Sequence, residues 1–175
     1  RVDGMGQYRR LATTIDDALG EAFDKTAKIL KLGFPGGPAV ERFAKDAQDP
    51  KRFALPLMLA RDKTCNFSFA GLKTAARRHW DSLEAPDDQD RADLAASMQS
   101  AIARHLSQRA GRAMAIFRDR FSEHEGPFTL VAAGGVAANT AVREALTTDA
   151  EGPKVIVASS ECMLNRQRRE RPEKA

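Results

Sequence analysis

The 175-residue sequence has few of the residues from which cross-links and metal sites are built. Its two cysteines, Cys65 and Cys162, lie far apart, which argues against a disulfide framework or a cysteine zinc site and favours a cytoplasmic protein. Its three histidines, His79, His105 and His124, show no metal-ligand spacing. His105 stands alone beside the apolar stripe of a predicted helix, so we expect it to be structural.

Long apolar runs are also missing, and this predicts that the chain has no membrane span and no signal peptide. The chain starts with Arg1 rather than Met, which suggests an internal fragment of a longer protein. The net charge is +4. Most of the positive excess lies in the segment from Arg166 to Lys174, which favours a solvated charged tail over an RNA-binding surface. We therefore predict that residues 159–175 form a disordered, charged tail.

The hydrophobic periodicity predicts a helix-rich α/β chain. Thr13 or Thr14 is the predicted cap of the first helix, and Gly33 its stop. Near the C-terminus a strand, a glycine turn, a helix and a second strand follow one another, and this order predicts a parallel-type sheet segment. The predicted helices span 14–32, 39–46, 71–83, 88–121 and 138–146, and the predicted strands 67–69, 128–133 and 154–158.

The junction LVAAGGVAAN, residues 130–139, is the first candidate site. Its adjacent glycines let the backbone approach a ligand, and the N–H groups of the following helix can receive an anion. Asn139 can hydrogen-bond a ribose or a base. An ordinary tight strand–helix turn explains the pattern equally well, and neither a Rossmann nor a Walker fingerprint is present.

The acidic first helix and the glycine turn after it are further candidates. Asp17, Glu21 and Asp24 are spaced to share one helix face, where carboxylates can bind Mg²⁺ or ribose hydroxyls, although a solvated face is the commoner explanation. Gly20, inside that helix, suggests close contact with another group. The turn Phe34–Pro38 has N–H groups that can line a pocket, although a helix-terminating turn is sufficient.

The segment Asn66–Thr74 is the last candidate. Phe67 and Phe69 bracket a serine that must face the other way. Lys73 falls early in a helix, where a cation is unfavourable, so it can meet an acidic partner or a tRNA phosphate. A surface lysine is the commoner explanation.

Three segments in this order resemble one family. They read DDALGEAFDKTAKILKLGFPGGP, NFSFAGLKTA and LVAAGGVAANTAVREAL, and together they are similar to the hallmarks of the TsaD family of tRNA threonylcarbamoyltransferases. The resemblance covers residues 7 to 147.

This resemblance implies a partial actin-like ATPase fold, as in actin and the sugar kinases. Residues 1–85 then belong to the inter-lobe helical region, with the DDALGEAFDK and PGGP motifs. Residues 86–158 belong to the C-terminal lobe, with the AAGGVAAN loop.

The resemblance also implies the reaction and the partners. The family transfers a threonylcarbamoyl group from threonylcarbamoyl-adenylate to N6 of the adenosine beside the anticodon of tRNA. TsaB-type and TsaE-type proteins are the implied partners. By motif match, Asp24, Gly37 and Asn139 contact the adenylate, and Glu41 matches a further contact of some members. No catalytic residue is identified.

The sequence departs from the family at the metal centre. The family binds one divalent ion, iron or zinc, through an H-x-x-x-H pair and an aspartate of a C-T-D-N-type motif, and this sequence has no convincing match to either. It also lacks the S-G-G-H-type loop, and Ala70 stands where the family usually has serine. We therefore expect no metal ligands in this chain and no transfer by the chain alone.

Two alternatives to an enzyme fragment follow from the same resemblance. One is a non-catalytic actin-like binding module, as in a degenerate paralogue. The other is a sugar-kinase-like phosphotransferase, which requires a phosphate loop and a catalytic aspartate before G-x-G, and the sequence shows neither.

Overall fold

A computed structural model describes residues 1–123, 125–126, 128–147 and 154–158 of the chain. Helices dominate these residues, and the strands form two two-stranded sheets. The elements are β1 (Val2–Gly4), β2 (Gln7–Tyr8), α1 (Leu19–Leu30), α2 (Gly36–Ala44), α3 (Ala70–Asp81), α4 (Asp88–Arg120), β3 (Thr129–Ala133), a 3₁₀ turn (Gly135–Ala138), α5 (Thr140–Thr147) and β4 (Lys154–Ala158).

Helix α4 is the longest element, and its predicted span of 88–121 is confirmed to within one residue. Its start is fixed locally, because the Asp87 carboxylate accepts the Asp90 N–H at 2.8 Å and the Asp90 carboxylate accepts the Asp87 N–H at 2.9 Å. This reciprocal capping box satisfies two N–H groups that a helix start otherwise leaves open. The N-terminal half of α4 is largely buried, whereas much of its last turns is exposed.

Helix α1 begins at Leu19 rather than near Thr14, so the predicted start and the predicted threonine cap were wrong. The reason is a long-range pairing: the Ile15 N–H donates to the Phe67 carbonyl, and the Phe67 N–H donates to the Thr13 carbonyl. The bridge is parallel and holds the chain extended where the helix was predicted.

Helix α2 begins at Gly36, three residues earlier than predicted, so two glycines expected in a turn are helical. Pro38 is tolerated because a residue in the first helical turn needs no N–H for an intrahelical hydrogen bond. The first helical N–H group, that of Gly36, donates to the Asp24 carboxylate instead.

Strands β3 and β4 are parallel, with Leu130 opposite Val155 and Ala132 opposite Val157. Helix α5 connects them in sequence, so these elements follow the predicted order of strand, turn, helix and strand, and the two strands form a two-stranded unit. The predicted strand at 67–69 is reduced to a single bridge at Phe67.

One hydrophobic core joins residues from both predicted segments, 1–85 and 86–158. Phe23, Leu30, Leu72, Leu94 and Met98 are at most 1% exposed within it. Among the described residues, no helix is both long enough and apolar enough to cross a membrane. The predicted tail at 159–175 lies outside the described residues.

Candidate functional site

The predicted contact residues lie on elements that pack together. Asp24 is on α1, Gly37 and Glu41 are on α2, and Asn139 directly precedes α5. Helix α2 packs against both α1 and α4, and α5 packs against α4. Gly20 of α1 faces the 3₁₀ turn, since a Cβ added to it would lie 3.9 Å from the Val136 side chain. The sequence motifs are therefore brought to one region of the molecule.

Asp24 is tied to the start of α2 through one of its two carboxylate oxygens. The Gly36 N–H donates to Asp24 Oδ1 at 2.8 Å. Asp24 is exposed, and Oδ2 has no hydrogen-bond partner among the described residues. This carboxylate is thus oriented by α2 and keeps a free oxygen that can accept a hydroxyl.

Gly36 and Gly37 are adjacent, but they have different environments. A Cβ on Gly36 would lie 2.4 Å from Asp24 Cα and 2.6 Å from the Phe23 carbonyl oxygen, so the backbones of α1 and α2 touch there. A Cβ on Gly37 would meet nothing within 4 Å. Gly36 is therefore required by packing, a role that the sequence pattern did not reveal, and Gly37 faces open space at a helix N-terminus.

Glu41 links α2 to α5. Its Oε1 accepts the Thr140 N–H at 2.9 Å, which satisfies the first N–H of α5. Glu41 was predicted as a further ligand contact, and one of its carboxylate oxygens is therefore already bonded within the protein. The same bond fixes the distance between the PGGP helix and the loop of Asn139.

Asn139 is 5% exposed, and every one of its polar groups has a partner. Its backbone N–H closes the 3₁₀ turn at the Val136 carbonyl, and its carbonyl accepts the Arg143 N–H. Its Oδ1 accepts the Val142 N–H at 3.0 Å, so Asn139 is the N-cap of α5. Its Nδ2 donates to Gln99 Oε1 at 2.9 Å.

The predicted acidic face of the first helix does not form a carboxylate cluster. Asp17 precedes α1, and it pairs with Lys25 at 2.6 Å, as does Glu21 at 2.8 Å. Hydrogen bonds from Lys25, to Asp17 first and then to Glu21, raise the pKa of its ammonium group. Lys73 lies 3.9 Å from Asp17, so the acidic partner considered for it is present.

The polar groups around Ser68 bond to other parts of the protein and are not open to a ligand. Ser68 is buried, its hydroxyl donates to the Asp16 carboxylate, and Asp16 also accepts the Phe69 and Ala70 N–H groups. Burial raises the pKa of Asp16, but these hydrogen bonds outweigh that effect and hold it below its usual value. Asp16 therefore supplies the N-terminal cap of α3, which has no cap from its own segment.

The parts of the chain that the structure describes contain no group of three or more histidine, cysteine, aspartate or glutamate side chains that can hold a metal ion. Asp24 and Glu41 each give one oxygen to a backbone N–H. The described residues therefore do not fit the iron or zinc ion implied by the family resemblance.

Comparison with known proteins gives a consistent result. The TsaD family model, described as tRNA N6-adenosine threonylcarbamoyltransferase, matches residues 1–168. A relative of that name from Maricaulis maris is 62% identical over 148 residues, which is 85% of this chain and 39% of the relative. Relatives of the same name from Brucella anthropi and Brucella suis are each 56% identical, over 84% and 83% of this chain and 40% of their own length.

The chain thus spans about two fifths of the length of these curated relatives. The family model covers nearly the whole chain, and the motifs that point to the family are the same ones that the fold brings together. The chain belongs to the TsaD family of tRNA N6-adenosine threonylcarbamoyltransferases.

Proposed function

We propose that this chain is the nucleoside-binding part of a tRNA N6-adenosine threonylcarbamoyltransferase with an actin-like ATPase fold. The name of the family and of the relatives supports the activity. The substrate is threonylcarbamoyl-adenylate, and the acceptor is N6 of the adenosine next to the anticodon. The segment 1–85 supplies the inter-lobe region and 86–158 part of the C-terminal lobe.

The reaction is an acyl transfer. The N6 nitrogen attacks the carbamoyl carbon, a C–N bond forms, and the C–O bond to the adenylate phosphate breaks. AMP leaves with the electron pair, and N6 loses a proton. The residues proposed here act on the nucleoside and not on the reacting carbon, so they bind and orient the adenylate.

The observation that best supports this proposal is the half-engaged Asp24 carboxylate. The Gly36 N–H holds Oδ1, which leaves Oδ2 to accept a ribose hydroxyl. The open side of Gly37 lies one residue further along, and Asn139 is held to α2 through the Glu41–Thr140 bond. A ligand that uses Asp24, Gly37 and Asn139, with Glu41 beside them, would touch three elements that are already connected.

Full-length enzyme, meaning the transferase that contains this chain, is the material for the test. Binding of AMP is measured by calorimetry for wild type and for Asp24→Asn. The asparagine keeps an oxygen for the Gly36 N–H but loses the charged ribose acceptor, so affinity falls about tenfold or more, as for a lost hydrogen bond to a charged group. Glu21→Gln, on the same helix, is the control and leaves affinity unchanged.

Unaltered AMP affinity in Asp24→Asn would contradict the assigned role of Asp24. A wild-type protein that binds no AMP would favour the non-catalytic binding module instead. The proposed partners are tRNA and proteins of the TsaB and TsaE types, in the cytoplasm, and the family's divalent ion would be held by residues outside those described here.

A further inference from the structure

The side-chain amide of Asn139 is held by two hydrogen bonds, and the partner in one of them lies on a different helix. The Val142 N–H donates to Oδ1, and Nδ2 donates to Gln99 Oε1. The first bond is local to α5. The second crosses 40 residues of sequence to α4.

These two bonds determine which way the amide faces. A flipped amide would set the Nδ2 hydrogens against the Val142 N–H, so the Val142 bond requires Oδ1 on the α5 side. The opposite side must then offer an acceptor, because a buried N–H without one is costly. Gln99 Oε1 is that acceptor. The planar amide carries a second Nδ2 hydrogen, whose direction the same two bonds fix.

Gln99 can fix Asn139 because its own position is fixed. Its neighbour Met98 and the nearby Ile102 are fully buried in the core, while Gln99 itself is half-buried. The backbone of α4 at this point therefore has little freedom, and a side-chain bond from it holds Asn139 against the core of the molecule.

We propose that Gln99 is a positioning residue of the adenylate site, which aims the second Nδ2 hydrogen of Asn139 at the nucleoside. This inference rests on the proposed function of Asn139. Gln99 does not touch the ligand in this role, and its effect reaches the nucleoside only through Asn139.

The test is a double-mutant cycle in the full-length enzyme, with AMP affinity as the readout. Gln99→Met keeps the length of the side chain and removes the acceptor, and AMP affinity falls about tenfold, as for the loss of one aligned hydrogen bond. Gln99→Glu restores an oxygen and much of the affinity. In an Asn139→Ala background, Gln99→Met has no further effect, because the residue through which it acts is gone.

Gln108→Met is the matched control on the same helix. Among the described residues its side-chain oxygen is buried without a partner, so its removal should weaken neither binding nor folding. Thermal melting of each variant identifies a general loss of structure. If Gln99→Met does not fold, Gln99→Glu and Gln99→His are compared instead. Glutamate keeps an oxygen at the Oε1 position and preserves AMP affinity. Histidine presents a ring nitrogen in place of that oxygen and does not preserve it.

The outcomes separate this inference from the proposed function. Wild-type protein that fails to bind AMP overturns the proposed function itself. AMP binding that is normal in wild type and equally normal in Gln99→Met overturns the positioning role alone. Additive losses in the double mutant also overturn it, because they mean that Gln99 acts independently of Asn139.

Discussion

Two adjacent glycines show how different neighbouring residues can be at the scale of single residues. The Gly36 hypothetical Cβ overlaps the backbone of α1, whereas the Gly37 hypothetical Cβ points into open space. The PGGP sequence gives no sign of this difference, because both glycines look like turn residues. Only the approach of α1 to α2, which is non-local, separates a packing glycine from one that can face a ligand.

We predict opposite effects for the two alanine substitutions. Gly36→Ala lowers the free energy of unfolding by about 1–3 kcal/mol, as overpacking typically does. Gly37→Ala leaves it unchanged or raises it by less than about 1 kcal/mol, because alanine favours a helix over glycine. In the full-length enzyme, Gly37→Ala nevertheless weakens AMP binding.

Urea denaturation measures both stabilities, and the pair serves as its own control. Equal destabilisation by the two substitutions would contradict the close contact at Gly36. Undiminished AMP affinity in Gly37→Ala would remove Gly37 from the proposed site.

His105 was expected to be structural, and the structure agrees. It is fully buried, its Nε2 accepts the Ser68 N–H at 3.3 Å, and the rings of Phe67 and Phe69 pack edge-on against it. Burial lowers the pKa of the imidazole, and the charge of Arg109 lowers it further. In the folded state His105 is therefore held neutral to a lower pH than in the unfolded chain.

A pH dependence of stability follows from this shift. Below about pH 6.5, the usual histidine pKa, the unfolded chain takes up a proton that the folded chain does not, so stability falls as the pH drops until the folded pKa is reached. His105→Gln keeps an acceptor for Ser68 but does not titrate, so its stability falls less over this window. Urea denaturation at several pH values between 7.5 and 5 checks this prediction. If the free energy of unfolding changed equally with pH in wild type and in His105→Gln, the prediction would be contradicted.

At the scale of elements, the agreement between sequence and structure depends on whether the determining contacts are local. Helix α4 was predicted almost to its ends because its capping box and apolar stripe lie within its own sequence. The start of α1 was not, because Thr13 and Ile15 pair with Phe67 and Asp16 caps α3, each more than 50 residues away. Strands β3 and β4 were predicted from the sequence because the glycine turn and the helix between them are local signals.

The loop before α3 is held by a buried arginine whose role the sequence pattern does not indicate. Arg109 of α4 is fully buried, and its guanidinium donates to backbone carbonyls of residues 58, 59, 62 and 64. Burial, and secondly the charge of Arg112, lowers the pKa of the guanidinium. A single side chain thus satisfies much of the loop backbone, which has no regular structure of its own.

We predict that Arg109→Met lowers the free energy of unfolding by about 2–4 kcal/mol, because several loop carbonyls lose a charged donor. Trypsin also cuts the loop faster, at Arg61 or Lys63. Arg104→Met is the control: Arg104 donates to the Leu55 carbonyl from an exposed position. Its loss costs less than about 1 kcal/mol. Comparable effects of the two substitutions on stability and on cleavage would contradict the role of Arg109 in holding the loop.

At the scale of the whole molecule, a hydrophobic core of the described residues joins the motif-bearing helices to α5 and thereby holds the proposed site residues together. The family could be recognised from three ordered motifs, and the residues Asp24, Gly37 and Asn139 were selected by motif match. Their connections through Gly36, Gln99 and the Glu41–Thr140 bond could not be predicted, since each bridges separate elements. The grouping of Asp17 and Glu21 with Asp24 failed because Lys25 neutralises the first two.

The most direct measurement for the central claim is the formation of N6-threonylcarbamoyladenosine in tRNA, followed by mass spectrometry. Full-length enzyme is supplied with threonylcarbamoyl-adenylate and unmodified tRNA. We predict that wild type modifies the adenosine beside the anticodon, and that Asp24→Asn, with an unchanged melting temperature, is at least about tenfold slower at limiting adenylate. No modification by wild type, or wild-type rates in Asp24→Asn under these conditions, would contradict the proposal.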